Sequence, residues 1–350
     1  MAKKVRVAFI GAGELANIVH YPSLASFKDV EIVALCDLSE ERRNATAAKF
    51  NVARTFSDYR QMLQSVKVDA VYVILPPQLL HEPVVYCLKA GLHVFTDKPP
   101  GVTPHQTRAW AGLAARHKNL TMVGFQRRYA PIMRKAREQV IKRGGAIQHA
   151  VAQYYKGYKG GLYYEGAIDI LTCDAIHAVD ALRWVAGGEV VDVTSDLRDQ
   201  VGRGFHDLFT ATVRFSNGCL GFLFGNWNCG AYRFAVEMHA NRTSAFVEIN
   251  KRALYHEDGN QEGEVWETRD VAGSDDMLDY AGFRAENRHF IDCIKSGRQP
   301  DSHFGDAAKS MELVEKIHRA ARPEPSSVPA PPPQKASGAG RSRPRRAKSR

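Results

Sequence analysis

Residues 5–16 constrain this chain more tightly than any other stretch. Val5–Ile10 is a short run of β-branched and apolar residues. It leads straight into Gly11-Ala12-Gly13-Glu14-Leu15-Ala16, and helical spacing follows over 15–27. A strand that enters a helix through a GxGxxA turn has the form that receives a dinucleotide's diphosphate. Gly11 permits the tight turn, Gly13 lets a phosphate approach the backbone, and Ala16 is small enough for the helix to pack closely on the strand. The free amides along Ala12, Glu14 and Leu15 and the positive end of the helix then face the phosphates. A second apolar run, 31–36, ends in Asp37, 21 positions beyond Ala16. A carboxylate there accepts both ribose hydroxyls of an adenosine and repels a 2′-phosphate, which favours NAD. Ser39, Arg42 and Arg43 follow at once. An arginine so placed can neutralise that phosphate, so NADP stays open.

The same grammar continues to about residue 125. Short apolar runs at 70–75, 93–96 and 121–123 alternate with helical spacing at 40–50, 79–90 and 104–117. Strands alternating with helices of this length read as βαβ units on a parallel sheet. After about residue 145 the pattern changes. One strong helix pattern, 168–186, ends at Gly187-Gly188, a suitable cap. Alternating runs follow at 190–197, 208–215, 219–227, 234–240 and 245–249, with Asn217-Gly218 as a hairpin signal. Helical spacing returns at 277–296 and 304–321. The expected architecture is α/β: a Rossmann parallel sheet over 1–125, then over 126–321 an α+β domain with a large open, mostly antiparallel sheet. Its uncovered face suits a homodimer or homotetramer.

Charge is informative only once it is located. The 350 residues carry a net +10, but eight basic residues against Glu324 place +7 beyond residue 320 and leave +3 for the rest. The folded part is nearly balanced, so a nucleic-acid face is not expected there. Residues 322–350 hold seven of the sixteen prolines and few bulky apolar residues. They read as a disordered basic tail whose one route to nucleic acid is nonspecific. No run approaches the ~18 apolar residues of a membrane span, and the N-terminus lacks the apolar stretch of a secretory signal. Six scattered cysteines without a CxxC pair provide no metal framework and point to a reducing, cytoplasmic compartment.

Ligands of open α/β sheets bind beyond the carboxyl ends of the strands, and three such ends carry suggestive residues. Run 70–75 ends with Leu75-Pro76-Pro77 and reaches His81; run 93–96 ends in Asp97-Lys98-Pro99; run 121–123 leads to Gln126, Arg128 and Tyr129. An ammonium fixed at Lys98 can hydrogen-bond a substrate hydroxyl and lower its pKa. On the 168–186 helix, Asp174 and His177 lie three apart and share a face, and a histidine beside a carboxylate suits proton transfer near neutral pH. Tyr154, Tyr155, Tyr158, Tyr163 and Tyr164 form a hydroxyl-rich stretch able to stack on a sugar ring. Lys156, Lys159 and the nearby glycines read equally as a mobile loop.

Together these motifs resemble the glucose–fructose oxidoreductase/inositol dehydrogenase (Gfo/Idh/MocA) family over roughly 5–320. They comprise Gly11–Ala16, Asp37, Pro76-Pro77 with His81, Asp97-Lys98-Pro99, 124–129, and the helix ending Asp180-Ala181-Leu182-Arg183-Trp184. The resemblance implies a nicotinamide cofactor and redox chemistry on a sugar, cyclitol or related polyol. It makes Lys98 the family lysine and His177 the helix histidine that acts as acid and base. Gly11, Ala12, Gly13, Glu14, Leu15, Asp37, Leu75, Pro76, Pro77, His81, Asp97, Lys98 and Gln126 are the expected cofactor residues, Arg128 and Tyr129 the expected residues of the substrate or nicotinamide pocket, and Tyr163 an expected substrate residue. Two departures stand out. Asp97 replaces the usual glutamate. Cys173 occupies the position four before the histidine, where the family commonly has aspartate, and the acid is Asp174. The fold leaves two other readings open: a noncatalytic NAD(P)-binding regulator, and an enzyme that cleaves glycosides through transient oxidation.

Overall fold

The computed structural model describes residues 4–322. The expected tail lies outside these residues apart from Arg322. Six strands make the first sheet: β1 (Val5–Ile10), β2 (Val30–Cys36), β3 (Thr55–Phe56), β4 (Ala70–Val73), β5 (His93–Asp97) and β6 (Thr121–Gly124). All pair in parallel, in the order β3-β2-β1-β4-β5-β6. β4 and β6 are buried along their whole lengths, as a sheet covered on both faces requires. The order reverses between β1 and β4, which opens a crevice beyond the carboxyl ends at that point.

The helix expected over 15–27 is instead a π-turn, Ala16–His20, followed by α1 (Tyr21–Ala25). Pro22 has no N–H to continue an α-helical ladder; the Tyr21 N–H reaches back to the Ala16 carbonyl, the wider π spacing. α2 (Glu40–Phe50), α3 (Tyr59–Ser65), α4 (His81–Lys89) and α5 (Pro104–His117) complete the βαβ units. Apolar residues of α4 and α5 cover one face of the sheet.

α6 (Pro131–Gly144), α7 (Ile170–Cys173) and α8 (Ile176–Ala186) lead into the second sheet. Its strands are β7 (His149–Gly157), β8 (Val190–Arg198), β9 (Leu208–Phe215), β10 (Leu220–Asn226), β11 (Asn228–Ala240), β12 (Thr243–Glu248), β13 (Arg252–Glu257) and β14 (Glu264–Glu267). The order is β14-β13-β12-β11-β7-β10-β9-β8, antiparallel except for β7 with β10. Burial alternates along β9 and β10. One face packs on α6 and α8 and the other is open. β7, at the centre, was not expected from sequence; Tyr154, Tyr155 and Lys156 belong to it rather than to a loop.

The chain then returns to its beginning. After α9 (Thr268–Ala272) and α10 (Met277–Tyr280), α11 (Phe283–Ser296) covers the other face of the first sheet. The Phe290 ring lies 5.8 Å from Tyr72 and 5.7 Å from Phe95. α12 (Phe304–Arg319) packs between α5 and α8, with Phe304 5.6 Å from Trp110. Among the described residues no helix is long and apolar enough to cross a membrane, and no group of three or more His, Cys, Asp or Glu could hold a metal ion.

Arg128 joins these layers. Its Nε donates to Asp180 Oδ2 at 2.7 Å, its Nη2 donates to Asp180 Oδ1, and its Nη1 lies 2.7 Å from Asp306 Oδ2. Ser310 donates to Asp180 Oδ1 at 2.8 Å, and Arg183 donates to Asp306 Oδ2 at 2.6 Å. Removing one partner of a buried ion pair leaves an uncompensated charge. Arg128→Met should therefore lower unfolding stability by about 3–5 kcal/mol, read as a reduced urea midpoint. A midpoint matching the wild type would show that the cluster does not hold the layers together.

Candidate active site

The glycine turn is built by backbone geometry. Gly11 has φ +112°, and a Cβ there would lie 2.1 Å from the Ile74 carbonyl oxygen, so no larger residue fits. Its N–H donates to the Cys36 carbonyl at 2.8 Å. A Cβ on Gly13 would meet nothing within 4 Å, which leaves the approach to the backbone clear. Asp37 closes the turn: Oδ2 accepts the Ala12 N–H at 2.8 Å, and Oδ1 accepts the Ser39 N–H at 2.8 Å and Arg42 Nη2 at 3.1 Å. In front lies a cavity of ≈ 480 Å³ lined by Gly11, Gly13, Asp37, Arg42, Leu75 and Pro76 among others. Bare turn, carboxylate and cavity fit a dinucleotide. Glu14 and Leu15 are exposed at the mouth of the π-turn, and Pro77 and Gln126 are buried.

Two expected cofactor side chains point elsewhere. His81 Nδ1 accepts the Trp110 indole N–H at 3.1 Å and ties α4 to α5. Asp97 turns inward: Oδ1 accepts the Lys98 N–H at 2.6 Å, and Oδ2 lies 3.2 Å from His20 Nε2. His20 is fully buried, with Nδ1 3.3 Å from Asn287 Oδ1. Asp97 therefore anchors the segment that carries Lys98. In the sequence His20 reads only as one polar residue on an apolar helix, so nothing there announces this role.

The helix expected over 168–186 is interrupted. α7 ends at Cys173, Asp174 has φ −115° and ψ −45°, and α8 starts at Ile176. The Asp174 and Ala175 N–H groups both donate to the Ile170 carbonyl at 3.0 Å. No proline or glycine marks this kink. It seats Asp174 between helices, where four side chains converge on it. Lys98 Nζ lies 3.6 Å from Oδ1 and donates to the Cys173 carbonyl at 3.2 Å. Lys156 Nζ donates to Oδ2. The Tyr163 hydroxyl donates to Oδ2 at 2.9 Å, and the Tyr154 hydroxyl donates to Oδ1 at 3.4 Å. Burial alone would raise the Asp174 carboxyl; Lys98, Lys156 and His177 outweigh it and hold it well below the usual carboxylate range. His177 stands one turn on, and its N–H donates to the Asp174 carbonyl at 3.3 Å. Its Nδ1 is buried without a partner.

Of the two arginines beyond β6, the expected substrate residue is Arg128, but both of its carboxylate partners are internal. Tyr129 is likewise buried, its hydroxyl 3.4 Å from Ser302 Oγ and its ring 5.2 Å from the His289 ring. Neither reaches the cluster around Asp174. Arg127 does: its Nη2 donates to the Tyr232 hydroxyl at 3.0 Å, and the Tyr232 ring packs 5.8 Å from Tyr154. Arg127 and Lys156 are the residues that sequence reading missed as site residues.

Comparison with known proteins gives this arrangement a family. Residues 5–125 match the family model described as "Oxidoreductase family, NAD-binding Rossmann fold", and 144–246 match the "GFO/IDH/MocA C-terminal domain". The chain belongs to the Gfo/Idh/MocA family of oxidoreductases. It is 37% identical to the D-glucoside 3-dehydrogenase of Escherichia coli over 136 residues, which span 39% of each chain. It is 21% identical to the scyllo-inositol 2-dehydrogenase (NAD(+)) of Bacillus subtilis, over 89% of this chain and 93% of that one. Among solved structures, a dehydrogenase from Chromobacterium violaceum superposes with a TM-score of 0.82 at 23% identity. It covers 91% of this chain and 96% of that one.

Burial holds His177 well below its ordinary value of 6.5, and the charges of Lys98, Arg127 and Lys156 act the same way against Asp174. Its ring should therefore stay neutral down to a pH below 6.5, seen as an NMR titration midpoint under that value. Lys156→Met removes one like charge and should move the midpoint upward. A midpoint that does not move would remove Lys156 from the electrostatics of this site.

Proposed function

We propose that this chain is an NAD-dependent dehydrogenase that moves a hydride between nicotinamide and a CH–OH carbon of a sugar, cyclitol or related polyol. One observation carries the reading. An ammonium from the first domain, Lys98, and an imidazole from the second, His177, meet beside Asp174 at the carboxyl edge of β5. The names of the relatives, a glucoside and an inositol dehydrogenase, support the substrate class.

The bound cofactor would supply the hydride chemistry; the residues of the chain manage the proton and the oxygen. Because Nδ1 of His177 is sealed, the hydroxyl proton goes to Nε2. A ring that is neutral at neutral pH is ready for that proton. Lys98 donates a hydrogen bond to the same oxygen and stabilises its alkoxide character. Asp174 holds the Lys98 ammonium at a fixed height. The open face of the second sheet, where Phe224, Phe246 and Val265 are exposed, fits a second copy of the chain.

Lys98→Ala and His177→Ala should each reduce turnover by roughly 10²–10⁴-fold, followed by nicotinamide absorbance. Near-normal rates in both variants would reject these roles. For the cofactor, the carboxylate of Asp37 at the ribose position supports NAD over NADP. Asp37→Ala should shift the NAD:NADP ratio of kcat/KM toward NADP by about tenfold or more. A wild-type preference for NADP would overturn this assignment.

A further inference from the structure

Arg127 is 8% exposed, yet no carboxylate lies within salt-bridge distance of it among the described residues. Its neighbours are the Tyr232 hydroxyl at 3.0 Å and the Phe234 ring, 4.7 Å below the guanidinium. Its Nε is buried and has no acceptor at all. A buried guanidinium without an anion is costly to keep. The adjacent Arg128 shows how this fold treats an arginine meant for structure, with Asp180 and Asp306 both in contact.

The surroundings deepen the imbalance. Lys98 and Lys156 are also part of the site, and among the described residues Asp174 is the one carboxylate within salt-bridge distance of either. Three cations therefore face one anion. A cofactor diphosphate does not restore the balance, because the glycine turn follows β1 and Arg127 follows β6. These strands stand three places apart in the sheet, about 14 Å at the usual strand spacing. A ribose at Asp37, beyond β2, is further still. What remains is the molecule that meets His177 and Lys98.

We propose that the substrate carries a carboxylate, as in a hexuronic or hexonic acid, and that Arg127 receives it while His177 and Lys98 act on a hydroxyl elsewhere on the carbon chain. This rests on the dehydrogenase reading and narrows its substrate class. Arg127 thereby sets specificity: its fork matches a carboxylate in bidentate fashion, and Tyr232 holds that fork from one side.

The test uses the full chain with NAD and a panel of hexuronates and hexonates of glucose, galactose and mannose. Each acid is measured against a neutral twin: the methyl ester for the uronates, the hexitol for the hexonates. At least one acid should exceed its twin in kcat/KM by about 10²-fold. Arg127→Gln should collapse that ratio toward one, and Arg127→Lys should restore part of it. Thermal unfolding of the NAD-loaded protein with the same compounds provides a second readout that needs no turnover: the preferred acid raises the melting temperature, its twin does not, and Arg127→Gln abolishes the difference. Oxidation of neutral twins as fast as acids would overturn the proposal while leaving the dehydrogenase reading intact. A melting shift specific to acids and dependent on Arg127, without turnover of any compound, would support the carboxylate site and count against the dehydrogenase reading. No acid preference in either readout would overturn the proposal.

Discussion

The Asp174 carboxylate is the contact on which the site depends. It holds an ammonium from the end of β5 and another from β7. Like charges so close would otherwise push apart, and the two sheets carry them into the same small volume. Removing one partner from such a buried set is far more costly than losing a surface ion pair. The carboxylate therefore acts on position as much as on chemistry. It fixes the Lys98 ammonium relative to His177, it seats β7 against the α7–α8 kink through Tyr154 and Lys156, and it holds the segment after β7 through Tyr163.

Two adjacent arginines show how the same residue type is put to opposite uses. Arg128 is enclosed by carboxylates that bind three helical segments together. Arg127, one residue earlier, is nearly as buried but faces tyrosine and phenylalanine. The 126–129 turn is a 3₁₀ segment, in which successive side chains are directed about a third of a turn apart. Neighbours in sequence thus look toward different surroundings, one lined by carboxylates and one by aromatic side chains.

Much of this molecule was legible in the sequence, and its opaque parts share a cause. The Rossmann half could be read because apolar strands, glycine punctuation and helical spacing are local signals. Lys98, Asp174 and His177 could be singled out because they sit at strand ends or on one short helical stretch. The roles of Arg127 and Arg128 could not be separated, because the deciding partner, Asp180, lies 52 positions away. β7 was hidden because Tyr154 and Lys156 face Asp174 while Tyr155, equally aromatic, points to the other side of the sheet, so apolar and polar residues do not alternate along this stretch. The kink at Asp174 contains no breaker residue, so helix periodicity ran straight through it. Asp97 was expected to face the cofactor; only the fold shows it turned toward His20.

The return of α11 has a bearing on how the molecule comes into being. Phe290 closes the layer over Tyr72 and Phe95, yet it is translated after every strand of both sheets. A ribosome therefore releases the first half of the protein with α1 on that side of the sheet but with Tyr72 and Phe95 not yet covered by Phe290, and these rings wait through the synthesis of the entire second half.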